Sequence, residues 1–390
     1  RPEVTNLLNQ PSLTAEERRR LNRWLLEDAY PGLLADAYGI GTALGVGGAV
    51  DVTVTGDVAA HGRDADGIFA LSTGENGAGD ISVWVGTDGG VHGGSGDGVG
   101  VRIDGGANNS LTNHGEISTS GTHAIRGGAG HETVNNYGTV TGLVDLGAGN
   151  NTFINHAEAT FQIGSTVDLG VGDVVNKKGG LLTGTGTITG DVSNSGEIGP
   201  GTSPGQLDIV GSLTHAVDAI MSFEIGGTDQ GINYDFLNVS NMLTLMGDLV
   251  VTLIDGFIPG LTDSFSLIEF GSLSGEFENA GSGSRVTTSD NRGSFEIQYG
   301  SSGVTLQDFQ LEEPLRISMS VNASGHKVLR LDSPPAGSFQ IQYTSDLASG
   351  GWNTISSPEW TTLPSGDWEW TDDGSVTGGA PAVRFYRVRK

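Results

Sequence analysis

Along much of this chain, apolar and polar residues alternate in runs of three to five, broken by Gly, Asn and Asp. A period of two is the pattern of a strand with one buried face, and the breakers mark tight turns. Five of these runs carry one motif: an apolar residue, a variable residue, an Asn, then most often a turn former. They are Leu111-Thr-Asn113, Val134-Asn-Asn136, Phe153-Ile-Asn155, Val174-Val-Asn176 and Val192-Ser-Asn194. The spacings between successive Asn positions are 23, 19, 21 and 18. A repeat near twenty is the length of one coil of a β-solenoid, whose coils bury their apolar faces only by stacking. The pattern therefore predicts a parallel β-helix in which the five Asn form an amide ladder at a turn.

The alternation begins near Val52-Thr-Val54 and persists to about residue 310, which sets the expected solenoid at 46–310, regular to about 205 and irregular after. At about twenty residues per coil this predicts roughly thirteen coils over about 60 Å. Two other patterns flank it. Residues 13–30 have a capping box, Thr14-Ala-Glu-Glu17, an apolar stripe of Leu21, Trp24, Leu25 and Leu26, and a stop at Pro31-Gly32. They predict an amphipathic helix within an N-terminal cap, 1–45, since an open solenoid end exposes unpaired backbone and apolar surface. After Glu313-Pro314, short strands at regular spacing predict a small β-sandwich over 311–390.

Composition narrows the chemistry. The formal net charge is −27, and residues 46–310 hold 7 basic against 31 acidic residues, a net −24. Such a surface repels nucleic acid and anionic lipid. There is no Cys, which removes disulfides, thiolate zinc sites and thiol nucleophiles. No apolar run reaches the roughly eighteen residues of a membrane span. The 65 Gly lack a three-residue period, which excludes collagen. The chain starts at Arg1, and a cleaved export signal upstream is the expectation.

Several constellations invite a functional reading. Gly127-Gly-Ala-Gly-His131-Glu132 and Leu146-Gly-Ala-Gly-Asn150-Asn151 approach the calcium-binding nonapeptide. They lack its Asp and recur at a spacing of 19 rather than nine, so the expected cofactor is none, with calcium as the alternative. Ile103-Asp104, Ile125-Arg126, Val144-Asp145 and Val167-Asp168 recur at spacings of 22, 19 and 23. They predict a charge ladder of Asp104, Arg126, Asp145 and Asp168, with Arg126 between two carboxylates. His114 and His156 each follow a ladder Asn but sit two coils apart, too far to share a metal. No HExxH, phosphate loop, GxSxG elbow or triad spacing occurs, and no catalytic residue is nominated. Trp352, Trp360, Trp368 and Trp370 crowd the terminal module, where core packing or sugar stacking would use them.

Three stretches, Gly67-Ile-Phe-Ala-Leu-Ser-Thr-Gly74, Val144-Asp-Leu-Gly-Ala-Gly-Asn-Asn-Thr-Phe153 and Gly199-Pro-Gly-Thr-Ser-Pro-Gly-Gln-Leu207, resemble the passenger regions of bacterial autotransporters. So does Tyr234-Asp-Phe-Leu-Asn-Val239 followed by Leu249-Val-Val-Thr-Leu253. The resemblance covers about 48–310 and implies an extracellular right-handed β-helix, often an adhesin. Gln340-Ile-Gln-Tyr343, Trp352 and Phe385-Tyr-Arg-Val-Arg389 resemble fibronectin-III-like modules of secreted bacterial proteins. That resemblance implies an accessory or surface-association role.

Together these readings predict a non-enzymatic structural or adhesive protein on the outer cell surface. Its expected partners are further copies of itself, head to tail, or surface glycans. Arg384, Arg387, Arg389 and Lys390 form a basic tail that would dock on an acidic neighbour. The alternatives are a β-helix polysaccharide lyase or hydrolase, and a glycan-binding module without catalysis.

Overall fold

A computed structural model describes residues 37–38, 40–46, 48–73, 79–311, 316–332, 340–346, 351–355, 360–365, 367–375, 377–378 and 384–389. The helix expected over 13–30 lies outside these residues. The described residues are all strand, turn and irregular structure, and they fall into two compact units, Arg1–Leu311 and Glu312–Lys390.

The first unit is the expected solenoid. Each coil contributes strands to three faces, and successive coils pair in parallel. One face, the ladder face, stacks Val50–Val54, Ile81–Val85, Asn108–Asn113 and His131–Asn136, and continues upward. A second stacks Val58–Ala60, Gly90–Gly93 and Glu116–Thr119. A third stacks Ile68–Thr73, Val99–Gly105 and His123–Arg126. Alternation sends one column of each face inward. On the second face that column includes Val91, Ile117, Val140, Phe161, Leu182 and Met221, each 0 or 1% exposed. These columns merge into one apolar core from Val50 to Phe309. Burial on this scale, at about 25 cal/mol per Å², is the main force holding coil to coil.

The coils are fewer and less even than the mean repeat predicts. Along the ladder face the register runs from Val54 through Val85, the five Asn and His215 to Leu245 and Gly275. Coils near the mean length occur only between Asn113 and His215; those before and after carry longer turns. The stack ends at Phe265–Gly275, which pairs in parallel with Phe236–Leu245 below it but antiparallel with Gly303–Leu311, and Gly303–Leu311 pairs antiparallel with Gly293–Tyr299 to close the C-terminal end. An antiparallel strand presents no parallel template, so the stack stops there.

The second unit has two antiparallel sheets. One contains Arg316–Val321, Lys327–Asp332, Trp368–Asp372 and Thr361–Thr362, the other Gln340–Thr344, Phe385–Arg389 and Asn353–Thr354. Leu329, Leu331, Ile341, Ile355 and Trp370 form a core drawn from both, the layout of a small sandwich.

Candidate functional site

The five Asn come together as predicted, and they point inward. Nδ2 of Asn113 donates to Oδ1 of Asn136 at 2.8 Å, and the same step repeats to Asn155 at 2.8 Å, Asn176 at 2.9 Å and Asn194 at 2.7 Å. Each of the first four amides also donates to a carbonyl one coil up, at Thr139, Thr160, Leu181 and Glu197. The turn N–H groups of Gly115, Gly138 and Gly196 donate back to the Oδ1 of Asn113, Asn136 and Asn194. All five amides therefore face one way, and none exceeds 1% exposure. The ladder is a structural seam with no access for a ligand.

The seam has a sixth member that the Asn-based pattern misses. Asn194 Nδ2 donates to Nδ1 of His215 at 2.9 Å. Because Gly196 N–H occupies the Asn194 oxygen, the amide must face His215 with its nitrogen, so Nδ1 accepts and the imidazole proton sits on Nε2. Burial depresses the His215 pKa to about 4, so the ring is neutral at pH 7. Leu213-Thr-His215 fits the apolar-variable-polar motif at a spacing of 21, a signal visible once the third position is not restricted to Asn.

The charge ladder forms only in part. Val101, not Ile103, pairs with Ile125, so Arg126 lies beside Arg102 rather than Asp104. Asp104 pairs with Leu71 one coil down. The shift is absorbed in the turn, where spacing carries no register information. Arg126, Asp145 and Asp168 do stack in register. Asp145 Oδ1 and Asp168 Oδ1 each accept their own turn N–H, from Gly147 and Gly170, both at 2.9 Å. These carboxylates are turn formers. Arg102 pairs instead with the buried Asp66 at 3.1 Å and lies 5.3 Å over the Phe69 ring. Burial raises the Asp66 pKa, and Arg102 partly offsets it.

The outward side of the second face holds the most site-like arrangement. Asp57, Ala59, Gly90, His92, Glu116 and Ser118 line a shallow groove of about 220 Å³. Gly90 sits beside Glu116, and a Cβ there would meet Asp57 Oδ1 at 2.9 Å. The missing side chain leaves a notch between two carboxylates. His92 bridges Ser118 Oγ through Nδ1 at 3.0 Å and Ser120 Oγ through Nε2 at 2.7 Å, and Ser118 donates to Glu116 at 3.2 Å. An activated serine would need backbone donors for an oxyanion. Two in the adjoining turn are committed: Ser120 N–H to Gly93 O and Gly121 N–H to Thr119 Oγ1. The groove presents two carboxylates, an imidazole and a hydroxyl, groups able to hydrogen-bond a polyhydroxylated or cationic ligand. His92 and Ser118 stand one long coil apart, at a spacing of 26 that equal-period reading passes over.

Beside the ladder, Tyr137 is stacked between His114 and His156, with centroids at 4.7 and 3.9 Å, and Trp84 lies 6.0 Å beyond His114. The two His thus stand two coils apart with a ring between them. Stacking hides both faces of Tyr137, while Trp84 is 38% exposed and only tilted toward His114.

In the second unit the expected basic tail divides. Arg384 is buried against Asp372, Thr377 and the Tyr343 ring, so it offers nothing to a neighbouring molecule. Its side chain fills a core position because Asp372 is there to neutralise it. Arg387 donates to Gln342 at 2.8 Å and lies 4.2 Å over Trp352. The side chains of Arg389 and Lys390 lie outside the described residues. Trp370 is in the core, Trp360 and Trp368 pack together at 6.0 Å, and Arg387 covers Trp352, so these rings serve packing.

Among the described residues no group of three or more His, Asp or Glu is placed to hold a metal ion, and no helix is long and apolar enough to cross a membrane. No protein-family model matches this chain, and no curated protein matches it.

Proposed function

We propose that this protein is a rigid extracellular structural or adhesive element of the bacterial surface, without catalytic activity. The observation that carries the reading is the inward amide ladder within an unbroken apolar core. Buried polar residues of the ladder are spent on register and stiffness, and the groove beside Gly90 on an outward face is shallow. The likeness of 48–310 to autotransporter passengers and of the terminal module to fibronectin-III-like domains supports the same reading, as does the acidic, Cys-free composition. Self-association suits such an element. The antiparallel C-terminal closure opposes continuous coil-on-coil stacking at that end, so lateral contact between faces is the favoured mode.

One observation favours a glycan partner: the notch at Gly90 between Asp57 and Glu116, with His92 and Ser118 alongside. Carboxylates and hydroxyls at one shallow site suit sugar hydroxyls. The deciding experiment incubates purified protein with a panel of surface polysaccharides. Retention on a glycan without release of soluble product supports adhesion. Product formation that saturates with substrate would overturn the non-catalytic reading. Negative-stain imaging of the same material separates fibres from dispersed rods.

A further inference from the structure

The ladder seam does not account for Glu132. Its side chain is 1% exposed, and it lies on His131–Asn136, whose alternation turns Glu132, Val134 and Asn136 inward. It occupies the middle of a second inner column. Asn109, Glu132 and Asn151 stand four positions before Asn113, Asn136 and Asn155, so the two columns climb in step. In this column the polar side chain meets the glycine-rich turn that precedes its strand.

The two Asn satisfy that turn as donors. Asn109 Nδ2 donates to Gly105 O at 2.9 Å, and Asn151 Nδ2 donates to Leu146 O at 3.2 Å, Gly147 O at 3.3 Å and Leu169 O at 3.0 Å. By the same offset the turn carbonyls belonging to Glu132 are those of Gly127 and Gly128, of which Gly128 O already accepts the Ala148 N–H at 3.0 Å. A carboxylate has no N–H to give them. Oε1 accepts from Asn109 Nδ2 at 2.8 Å, while Oε2 is fully buried and has no hydrogen-bond partner among the described residues. Burial pushes the Glu132 pKa up, and the Asn109 amide and the nearby Gly128 N–H offset only part of that. The turns crowd in as backbone: a Cβ on Gly130 would fall 2.9 Å from Gly106 O, and one on Gly149 would fall 2.0 Å from Gly130 O. The corner is thus a set of acceptors with one negative charge and too few donors, an arrangement that is unfavourable until a positive species enters it.

We propose that Glu132 holds a single hard, oxygen-seeking metal cation at this corner, with Oε2 as its one charged ligand and glycine carbonyls of the adjoining turns completing the shell. Sodium, potassium and calcium all accept carboxylate and carbonyl oxygen, and calcium does so in irregular geometry. The coils on either side need no ion, because Asn109 and Asn151 donate where the cation would sit. The site is therefore one ion, not an array. Absence of Cβ atoms at the turn is what lets carbonyl oxygens approach it.

The test uses the full chain, stripped with chelator and held in tetramethylammonium chloride at pH 8. Unfolding temperature is followed as sodium, potassium or calcium chloride replaces that salt at constant ionic strength. The wild type is expected to gain about 2–4 °C, saturably, with at least one of these ions. Glu132→Gln supplies the missing amide donor and is expected to lose that response. Atomic emission on desalted wild type should find one tightly held ion per chain. A wild type that neither responds nor retains an ion would overturn the proposal, and would mean that Glu132 keeps a proton instead. A response unchanged in Glu132→Gln would overturn it equally, since the ion would then lie elsewhere on the acidic surface. Should the variant not fold, the stoichiometry of the wild type decides.

Discussion

Asn194 donates its amide hydrogen to Nδ1 of His215 at 2.9 Å, which makes a neutral imidazole the last member of a column of amides that all face the same way. The column has a direction, fixed by glycine N–H groups at Asn113, Asn136 and Asn194. A proton on Nδ1 of His215 would set donor against donor at Asn194, and no single amide could turn to relieve it.

Stability should therefore carry an acid-sensitive component from His215. Its folded pKa, near 4, lies below the unfolded value of 6.5, so the unfolded chain takes up this proton first. The contribution is complete above pH 6.5 and is lost as pH falls toward 4, at up to about 1.4 kcal/mol per pH unit. His215→Asn, which extends the ladder with an amide, removes that slope. Denaturant titrations of both proteins at half-unit pH steps check it.

Asp235 should act in the opposite sense. It is buried between the backbone N–H groups of Gly205 at 2.8 Å and Glu224 at 2.7 Å, and burial raises its pKa to about 7. The folded chain holds this proton where the unfolded one, at 3.8, has released it. The associated stability is full below about pH 4 and falls away as pH rises to 7. Between pH 4 and 6.5 the two groups cancel in the wild type. Asp235→Asn should expose the rising slope of His215, and His215→Asn the falling slope of Asp235. Parallel pH profiles for both variants would contradict the assignment.

The middle of the seam should be the most costly place to cut it. Asn155→Ala removes the acceptor of Asn136 and the donor to Asn176 Oδ1, Ala159 O and Leu181 O. Leaving such groups buried and unpaired costs about 3 kcal/mol. Asn155→Asp should cost more, because it adds a buried charge facing two carbonyls. Chemical unfolding midpoints, with hydrogen exchange at coils 134–176, give the comparison.

Turn glycines should divide by what lies beside them. A Cβ on Gly138 would meet the Gly115 carbonyl oxygen at 2.1 Å, so Gly138→Ala must push adjacent coils apart, at about 2 kcal/mol or more. Nothing lies within 4 Å of a Cβ on Gly56, and Gly56→Ala should stay within about 0.5 kcal/mol of wild type. Thermal midpoints of the pair distinguish coil contact from general turn preference.

What could be read from residues alone was whatever repeats within a strand. Leu111, Val134, Phe153, Val174 and Val192 and their Asn partners share a strand position, so spacing revealed both column and register. Spacing failed where a turn changed length. The coil from Val101 to Ile125 carries extra residues outside its strands, and Arg102 rather than Asp104 came to stand beneath Arg126. Chemistry was missed where one residue type stood in for another. His215 replaces an Asn, and Glu132 takes an amide's place four positions ahead of Asn136. The terminal arginines looked alike in sequence, yet Asp372 draws Arg384 inside. A partner on another strand, across an intervening turn, leaves no local trace.

The antiparallel end formed by Phe265–Gly275 and Gly303–Leu311 also governs how such a chain can change in length. A duplicated segment appended beyond Leu311 would find no parallel edge to join. One inserted between Asn113 and Asn194 meets parallel edges in the same register above and below, and would extend the seam with its own amide. Variation in reach is thus confined to the interior of the array, while the closing hairpin stays the same.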